Sequence, residues 1–500
     1  MLTWLVTQTA PTQTHPDVRP WPALFALVIG FFMILVDLTI VTVATPTIID
    51  KLDASVNQVV WVSSAYMLAY AVPILITGRL GDRFGSKYLY LIGLTVFTLA
   101  SLWCGLTGTI EMLIVARVVQ GLGASLMTPQ TMAIITRIFP AADRGKAMAV
   151  WGATAGVAMV VGPIAGGVLT DDLGWEWIFF INIPVGLIAF VMALRLVPAL
   201  PTHEHRFDWL GVALSGLGLF FLAFGIQEGH AHHWAAWILA MIIGGVVVLA
   251  LFVVWQARNT REPLVPLGLF KDRNFSVSNA AITMMGGVGA SMGYPLMLWA
   301  QAVRGYSPTR AALLMVPMAV MSILLAKQVG GLTDRLHPRQ IMGFGFAASF
   351  VGMLTLALQL DPDANIWWLC VSMVIIGIGN AFIWAPTAAT ATRNLPMHLA
   401  GAGSGVYNAT RQVGSVMGSA AIAVIMDARL AANLPGASAH GEAGAAHLPL
   451  ALRAPFSSAM SDALYLPIAL FVVGFIAVMF YERPKHAGYA GAPAAVPADA

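Results

Sequence analysis

The chain has 500 residues, of which 58% are hydrophobic and only 10% charged, with a mean hydropathy of +0.79. Soluble domains carry about 25% charged residues, so this sequence lacks the polar surface to meet water on all sides, and its main solvent is lipid. The net charge of +3 comes without a dense basic run, which argues against nucleic acid as a partner, and the two distant cysteines, Cys104 and Cys370, give neither a disulfide framework nor a metal pattern.

Residues 1–21 read as a cytoplasmic N-terminal segment: the stretch from Met1 to Asp17 turns polar after a short apolar start and lacks a positive n-region, so no cleavable signal peptide is expected. A membrane span needs about 20 mostly apolar residues, and roughly fourteen such stretches follow. They begin near Pro22, Gln58, Lys87, Met112, Lys146, Trp177, Asp208, Trp234, Phe275, Thr309, Gln340, Ile366, Gly403 and Asp462. The expected fold is all-α and membrane-integral: six spans over 22–198, two inserted spans over 208–256, six more over 275–482, and a disordered cytoplasmic tail over 483–500 rich in Ala, Pro and Gly. Lys and Arg concentrate in every second loop and at the chain ends, among them Arg79, Arg83, Lys87, Arg137, Arg144, Arg206, Arg261, Arg335, Arg339, Arg393 and Lys485. The positive-inside rule then places both termini in the cytoplasm.

An internal repeat supports two equivalent halves. GRLGDRFGSK, Gly78 to Lys87, overlays GGLTDRLHPR, Gly330 to Arg339, without a gap, so that Gly78, Leu80, Asp82 and Arg83 recur as Gly330, Leu332, Asp334 and Arg335. Each copy follows the second span of its half. Parallel repeats of this kind are a transporter architecture, with the substrate bound near the bilayer midplane between the halves.

The segment GRLGDRFGSK resembles the signature loop between helices two and three of the major facilitator superfamily, although Ser86 replaces a usual basic residue. Three further segments, ILVDLTIVTVATP from Ile34, ARVVQGLGA from Ala116 and GVAMVVGPIAGG from Gly156, resemble its fourteen-span drug:proton antiporter branch. Thr42 and Glu176 (in WEWIFFIN) depart from that pattern. The resemblance covers nearly the whole chain. It implies the major facilitator fold of two six-helix bundles plus two added helices. It also implies a bacterial inner (cytoplasmic) membrane location and a multidrug antiporter role in antibiotic resistance, with hydrophobic and often cationic compounds as substrates.

Two mid-span charges carry the expected chemistry. Asp37 lies near the middle of the first span, where an unpartnered ionised carboxylate costs several kcal/mol, and is the leading proton carrier; the plainer reading is a permanently hydrogen-bonded Asp that fixes helix packing. Arg117 in the fourth span needs a counter-charge, for which Asp37 is the expected partner; a static ion pair or a residue snorkelling to the interface are its other readings. Gating is assigned to the loop residues Gly78, Asp82, Arg83, Asp334 and Arg335, for which a role as topology determinants only is the plainer reading, and to Gly162, Pro163 and Gly166 on a small-residue helix face between the halves, for which an ordinary glycine-rich helix contact is the alternative. Trp61, Tyr66, Tyr294, Trp384 and Tyr407 are aromatic candidates for an amphipathic pocket, with Asn408 and Gln412 as polar lining; ordinary interhelical packing is the alternative for each. Arg411 is expected to anchor the cytoplasmic end of the thirteenth span. His230, His232 and His233 lie in an outward loop without the ligand set of a metal site.

The sequence holds no Walker loop, GxSxG elbow or HExxH pair, so no enzyme activity, cofactor or metal is expected, and a proton gradient is the energy source. The partners expected are small amphipathic substrates, protons and membrane lipids. Export of an endogenous metabolite, lipid or siderophore, and a non-transporting sensor or scaffold, remain as rival readings.

Overall fold

The structure is a computed structural model that describes residues 19–54, 56–140, 143–202, 208–229, 232, 234–259, 263–395, 399–433 and 448–483. The expectations for residues 1–18 and 484–500, and those for Arg206, His230, His233, Arg261 and Lys485, fall outside this set. Regular structure among the described residues is helical. In chain order the α-helices are α1 (Pro20–Lys51), α2 (Val56–Ala71), α3 (Ile74–Phe84), α4 (Ser86–Gly105), α5 (Ile110–Ile138), α6 (Arg144–Asp172), α7 (Trp177–Phe180), α8 (Asn182–Leu196), α9 (Trp209–Glu228), α10 (Ala236–Arg258), α11 (Arg273–Leu298), α12 (Pro308–Leu313), α13 (Val316–Arg335), α14 (Pro338–Leu358), α15 (Ile366–Arg393), α16 (Ala400–Asn433), α17 (Leu450–Ala463) and α18 (Tyr465–Val478).

Twelve of the spans formed by these helices are long and apolar enough to cross a membrane, and α2 with α3, bent by 45° at Val72 and Pro73, makes a thirteenth if it is one crossing. The 26-residue α11 is long enough for another, about 39 Å at 1.5 Å per residue, but Asn274, Ser276, Ser278, Asn279 and its glycines keep its hydropathy lower. The last span differs from expectation. It begins at Leu450 rather than near Asp462, because Arg453, Ser458 and Asp462 dilute the apolar signal of α17 while Phe456, Ala459, Met460 and Ala463 are buried and Trp299 Nε1 donates to Ser457 Oγ at 3.1 Å.

Local signals set the helix ends. Thr109, Asp208, Asp272, Ser307 and Asn365 accept from backbone N–H groups in the first turn of α5, α9, α11, α12 and α15. Internal prolines recur at matching places, Pro129 late in α5 and Pro386 late in α15, where packing on neighbouring helices accommodates the lost hydrogen bond.

Helices α1–α8 form an N-terminal half around contacts of α4 and α2 with α5 and of α1 with α6, and α11–α18 a C-terminal half around α11 with α16 and α14 with α15. The halves meet through α6 on α13 and α15, and through α16 on α3 and α5. The inserted pair sits outside both. Helix α9 lies against α2 and α16, and α10 packs chiefly on α9 with most of its surface facing outward.

Candidate functional site

Inside the N-terminal half, α1 and α5 bring Asp37 and Arg117 together as a salt bridge, with side chains 0% and 1% exposed. Burying two charges is costly unless their remaining hydrogen-bonding capacity is met, and here much of it is met by neighbouring side chains and a backbone carbonyl. Arg117 Nε donates to the Val62 carbonyl at 3.1 Å and Nη1 to Gln120 Oε1 at 2.7 Å, while the guanidinium lies 4.1 Å above the Tyr66 ring. Asp37 Oδ1 accepts from Gln120 Nε2 at 2.9 Å and from Asn182 Nδ2 at 3.2 Å. Asn182 also donates to Ser101 Oγ at 2.9 Å, and Cys104 Sγ approaches Gln120 Oε1 at 3.6 Å. Gln120 reaches both charges because it stands three positions after Arg117, on the same face of α5. Asn182 is the first residue of α8, one helical residue, Ile181, after the end of α7.

A second cluster closes the end of the bundle where the repeated loops lie. The Asp82 carboxylate accepts the backbone N–H groups of Gly401 and Ala402 at 3.1 Å each, at the N-terminus of α16, and pairs with Arg137 at 2.8 Å. Its repeat partner does the reciprocal thing. Asp334 Oδ1 accepts the Gly145 N–H at 3.2 Å, at the N-terminus of α6, while Arg393 donates to the Thr333 and Asp334 carbonyls at 3.3 and 3.5 Å. Each half therefore caps a helix of the other. Gly78 permits this approach: a Cβ there would lie 2.6 Å from the Gly401 carbonyl oxygen and 3.1 Å from Gly405 Cα. Arg144 adds a cross-half bond to the Thr392 carbonyl at 3.4 Å, and Arg79 ties the same end to the carbonyls of Pro263 and Leu264 at 2.5 and 3.1 Å.

Residues 27–419 match the sequence profile of the Major Facilitator Superfamily. The chain is a member of the major facilitator superfamily. It is 52% identical over 92% of its length, and 81% of the relative's, to an uncharacterised transporter of this superfamily from Mycobacterium tuberculosis. It is 32% identical to the tetracenomycin C resistance and export protein of Streptomyces glaucescens, covering 82% of this chain and 77% of that one. It is also 32% identical to a multidrug export protein of Escherichia coli K12, with 79% and 78% covered. The solved structure of a proton:xylose symporter superposes with a TM-score of 0.63 at 14% identity, covering 91% of this chain and 94% of that one, which shows the fold. The protein is thus a multi-pass membrane transporter of small molecules and not an enzyme.

Within this major facilitator fold the remaining predicted residues separate into groups. Tyr66 and Tyr407 are fully buried, and Tyr66 serves the Asp37–Arg117 pair by covering its guanidinium. Tyr294 on α11 is 60% exposed. Trp61 packs on Phe224 of the inserted α9, with ring centroids 5.5 Å apart, and Gln412 faces an apolar crevice with Leu219, Leu222 and Ala223 of the same helix. Trp384 lies by Gly152 where α15 meets α6, and Asn408 is buried with its amide on the Ser404 carbonyl at 2.9 Å.

The glycine face of α6 divides. Gly152, Gly156 and Gly167 meet Trp384 and Ala385, Ser322, and Thr309 of the other half, whereas Gly162 meets Thr39 and Val36 of α1 in its own half. Gly166 is buried and Pro163 half-buried beside them. Arg83 is exposed with its guanidinium 5.3 Å from the Phe84 ring, and Arg335 is exposed, whereas the aspartate of each repeated pair reaches a helix of the other half. Arg411 is not an end anchor: α16 starts at Ala400, which places Arg411 about 16 Å into the helix, where Nη2 donates to the Tyr70 hydroxyl at 3.2 Å. His232 sits 3.5 Å from Glu228 and stacks edge-on to Trp237. Burial raises the Glu228 carboxyl above the ordinary carboxylate range, with His232 opposing.

Proposed function

We propose that this transporter is a proton-coupled exporter of small amphipathic compounds, drugs among them, working by alternating access, with Asp37 as the group that takes up and releases the proton. The observation that carries the reading is the buried Asp37–Arg117 pair and its neighbours Gln120 and Asn182. It is a carboxylate in the membrane interior whose charge is balanced by one guanidinium, so a shift of that guanidinium changes its hold on a proton. The named roles of the relatives in tetracenomycin and multidrug export support the cargo class.

The Arg-rich loops gather at the end closed by Asp82 and Asp334, and the positive-inside rule makes that end cytoplasmic in a bacterial inner membrane, with both termini on the same side. Closure there supports an outward-facing state. In it Asp37 is reprotonated and substrate leaves; opening of the aspartate caps then exposes the site to the cytoplasm, where substrate enters and the proton departs. Gly78 and the α6 face of Gly152, Gly156 and Gly167, beside Pro163, are the surfaces that part. A membrane potential supplies about 2.3 kcal/mol per charge per 100 mV and each pH unit about 1.4 kcal/mol, enough for one proton to drive a useful gradient.

The test is efflux of ethidium driven by a proton gradient in inverted vesicles, comparing the parent chain with Asp37→Asn at matched membrane abundance. Loss of gradient-driven movement with ethidium binding retained is expected. Undiminished proton-coupled efflux in the variant removes Asp37 from the coupling role.

A further inference from the structure

We infer that the interior carries a second charged site, in which Arg411 and Tyr407 of α16 seat the carboxylate of an amphipathic organic anion, with Tyr70 of α2 steadying the guanidinium from across the interface between the halves. This rests on the export reading above and names the class of compound carried, which differs from the cationic cargo that the sequence resemblance implies.

Charge sets the problem. Arg411 lies deep along α16 and half-buried, and among the described residues no carboxylate is within ion-pair distance of it; Asp37, the mid-span acid of α1, is engaged by Arg117. Its guanidinium donates to the Tyr70 hydroxyl at 3.2 Å, a neutral partner that leaves the positive charge uncompensated. Ionisable groups kept inside a membrane without a partner mark the path of an ion or substrate.

Hydrogen bonding narrows the ligand. Arg411 Nε and the Tyr407 hydroxyl are both buried, and neither has a hydrogen-bond partner among the described residues. Four positions apart, they face the same side of α16. Unsatisfied buried polar groups are rare because each forfeits its hydration. Both groups here donate, and the two oxygens of one carboxylate satisfy them together, with the charge-assisted geometry that guanidinium favours. Buried aromatic packing adjoins this seat: the Tyr70 ring stacks on Tyr66 with centroids 6.2 Å apart, and Tyr66 in turn covers Arg117. The anion and the proton therefore bind on opposite sides of two tyrosines and do not compete for one charge.

The Arg411 carbonyl lies against Gly286 of α11, and the exposed Tyr294 stands eight residues further along that helix, about 12 Å away. Exchange of one proton inward for one monoanion outward moves two charges in the direction favoured by an inside-negative potential, against one for a neutral compound and none for a monocation.

Three probes on one frame test the site: 2-naphthoxyacetate, 2-naphthoxyacetamide and 2-(2-naphthoxy)ethyltrimethylammonium, each titrated against the full chain in nanodiscs. The carboxylate is expected to bind at least about tenfold more tightly than the amide, Arg411→Gln to erase that preference, Arg411→Lys to keep part of it, and Tyr407→Phe to reduce it severalfold. Gel filtration of each variant, with Arg411→Lys as the folded comparator, separates lost binding from lost fold. A parent chain that binds the carboxylate no better than the other two, or an Arg411→Gln variant that keeps the preference, overturns the proposal. Proteoliposome efflux of the same probes and of ethidium distinguishes the two layers: gradient-driven ethidium export with no carboxylate preference overturns this site alone, whereas no gradient-driven movement of any of the four compounds overturns the export reading beneath it.

Discussion

The side-chain amide of Gln120 donates to Asp37 Oδ1 at 2.9 Å, and its carbonyl end accepts from Arg117 at 2.7 Å. One neutral residue thus fixes the relative placement of both interior charges. Gln120→Leu keeps the volume and removes both contacts, leaving Asp37 held by Arg117 and Asn182. Proton-driven ethidium efflux from inverted vesicles is expected to fall about tenfold, the weight of one charge-assisted hydrogen bond, while binding of ethidium to the purified chain changes little. Efflux at the parental rate would show that the bridge is packing and nothing more.

The ion pair itself makes a sharper prediction through a double substitution. Removing one member of a buried pair strands the other and costs about 3–5 kcal/mol, whereas removing both relieves the stranded charge. Arg117→Gln alone is expected to lower the yield of monodisperse protein strongly, and Asp37→Asn combined with Arg117→Gln to restore most of it, with no recovery of proton coupling. Fluorescence-detected gel filtration reads the first quantity and efflux the second. A double variant as poorly folded as the single one refutes the assignment of the loss to an uncompensated charge.

The two aspartate caps are alike in position and unequal in strength. Asp82 takes two backbone N–H groups and Arg137, whereas Asp334 takes one N–H group and leaves its second oxygen without a partner among the described residues. Asp82→Asn is therefore expected to slow efflux by about tenfold or more and Asp334→Asn by about threefold or less. Initial efflux rates at matched abundance check the ranking, and equal losses would mean that the two ends of the repeat carry equal load.

Much of this was legible in the residues. Hydropathy gives the spans because lipid demands it, the repeat gives Asp82 and Asp334, and mid-span charge singles out Asp37 and Arg117, which do pair. Gln120, Asn182, Ser101 and Cys104 escaped because a small uncharged residue in an apolar helix carries no signal of its own. The clue lay in spacing: Gln120 follows Arg117 by three, and Asn182 closes the segment WEWIFFIN. Arg411 was misplaced because Asn408, Arg411 and Gln412 interrupt the apolar run and so look like a helix end, whereas α16 begins eleven residues before Arg411 with the Gly-rich turn that Asp82 caps. The start of α17 was missed for the same reason. A polar face lowers average hydropathy even when the opposite face is buried.

The inserted helices are tied to the closed end by Asp208, and this gives a prediction in pH. Asp208 accepts from Gly211 N at 2.9 Å, Trp255 Nε1 at 2.8 Å, Gln256 Nε2 at 2.8 Å and Leu264 N at 3.4 Å, joining α9 to α10 and to the segment whose carbonyls receive Arg79. Partial burial raises its proton affinity, but these donors outweigh it and hold the carboxyl below its ordinary value of 3.8. An acid with a depressed folded pKa binds more protons when unfolded, so its contribution to stability is complete above 3.8 and is lost as pH falls through the folded value. Asp208→Asn removes the charge and turns an amide NH₂ toward groups that donate. With the carboxylate part-exposed and partly screened by solvent the effect is modest, an expected fall of about 1–2 °C in Tm at pH 7. Thermal unfolding of the purified chain should show that gap narrowing as the buffer is taken below pH 4, because the parent then loses what the variant never had. A gap of equal size at both pH values would place the effect in helix capping by shape and not in the carboxylate charge, and would remove the electrostatic tie between the inserted pair and the Arg79 end.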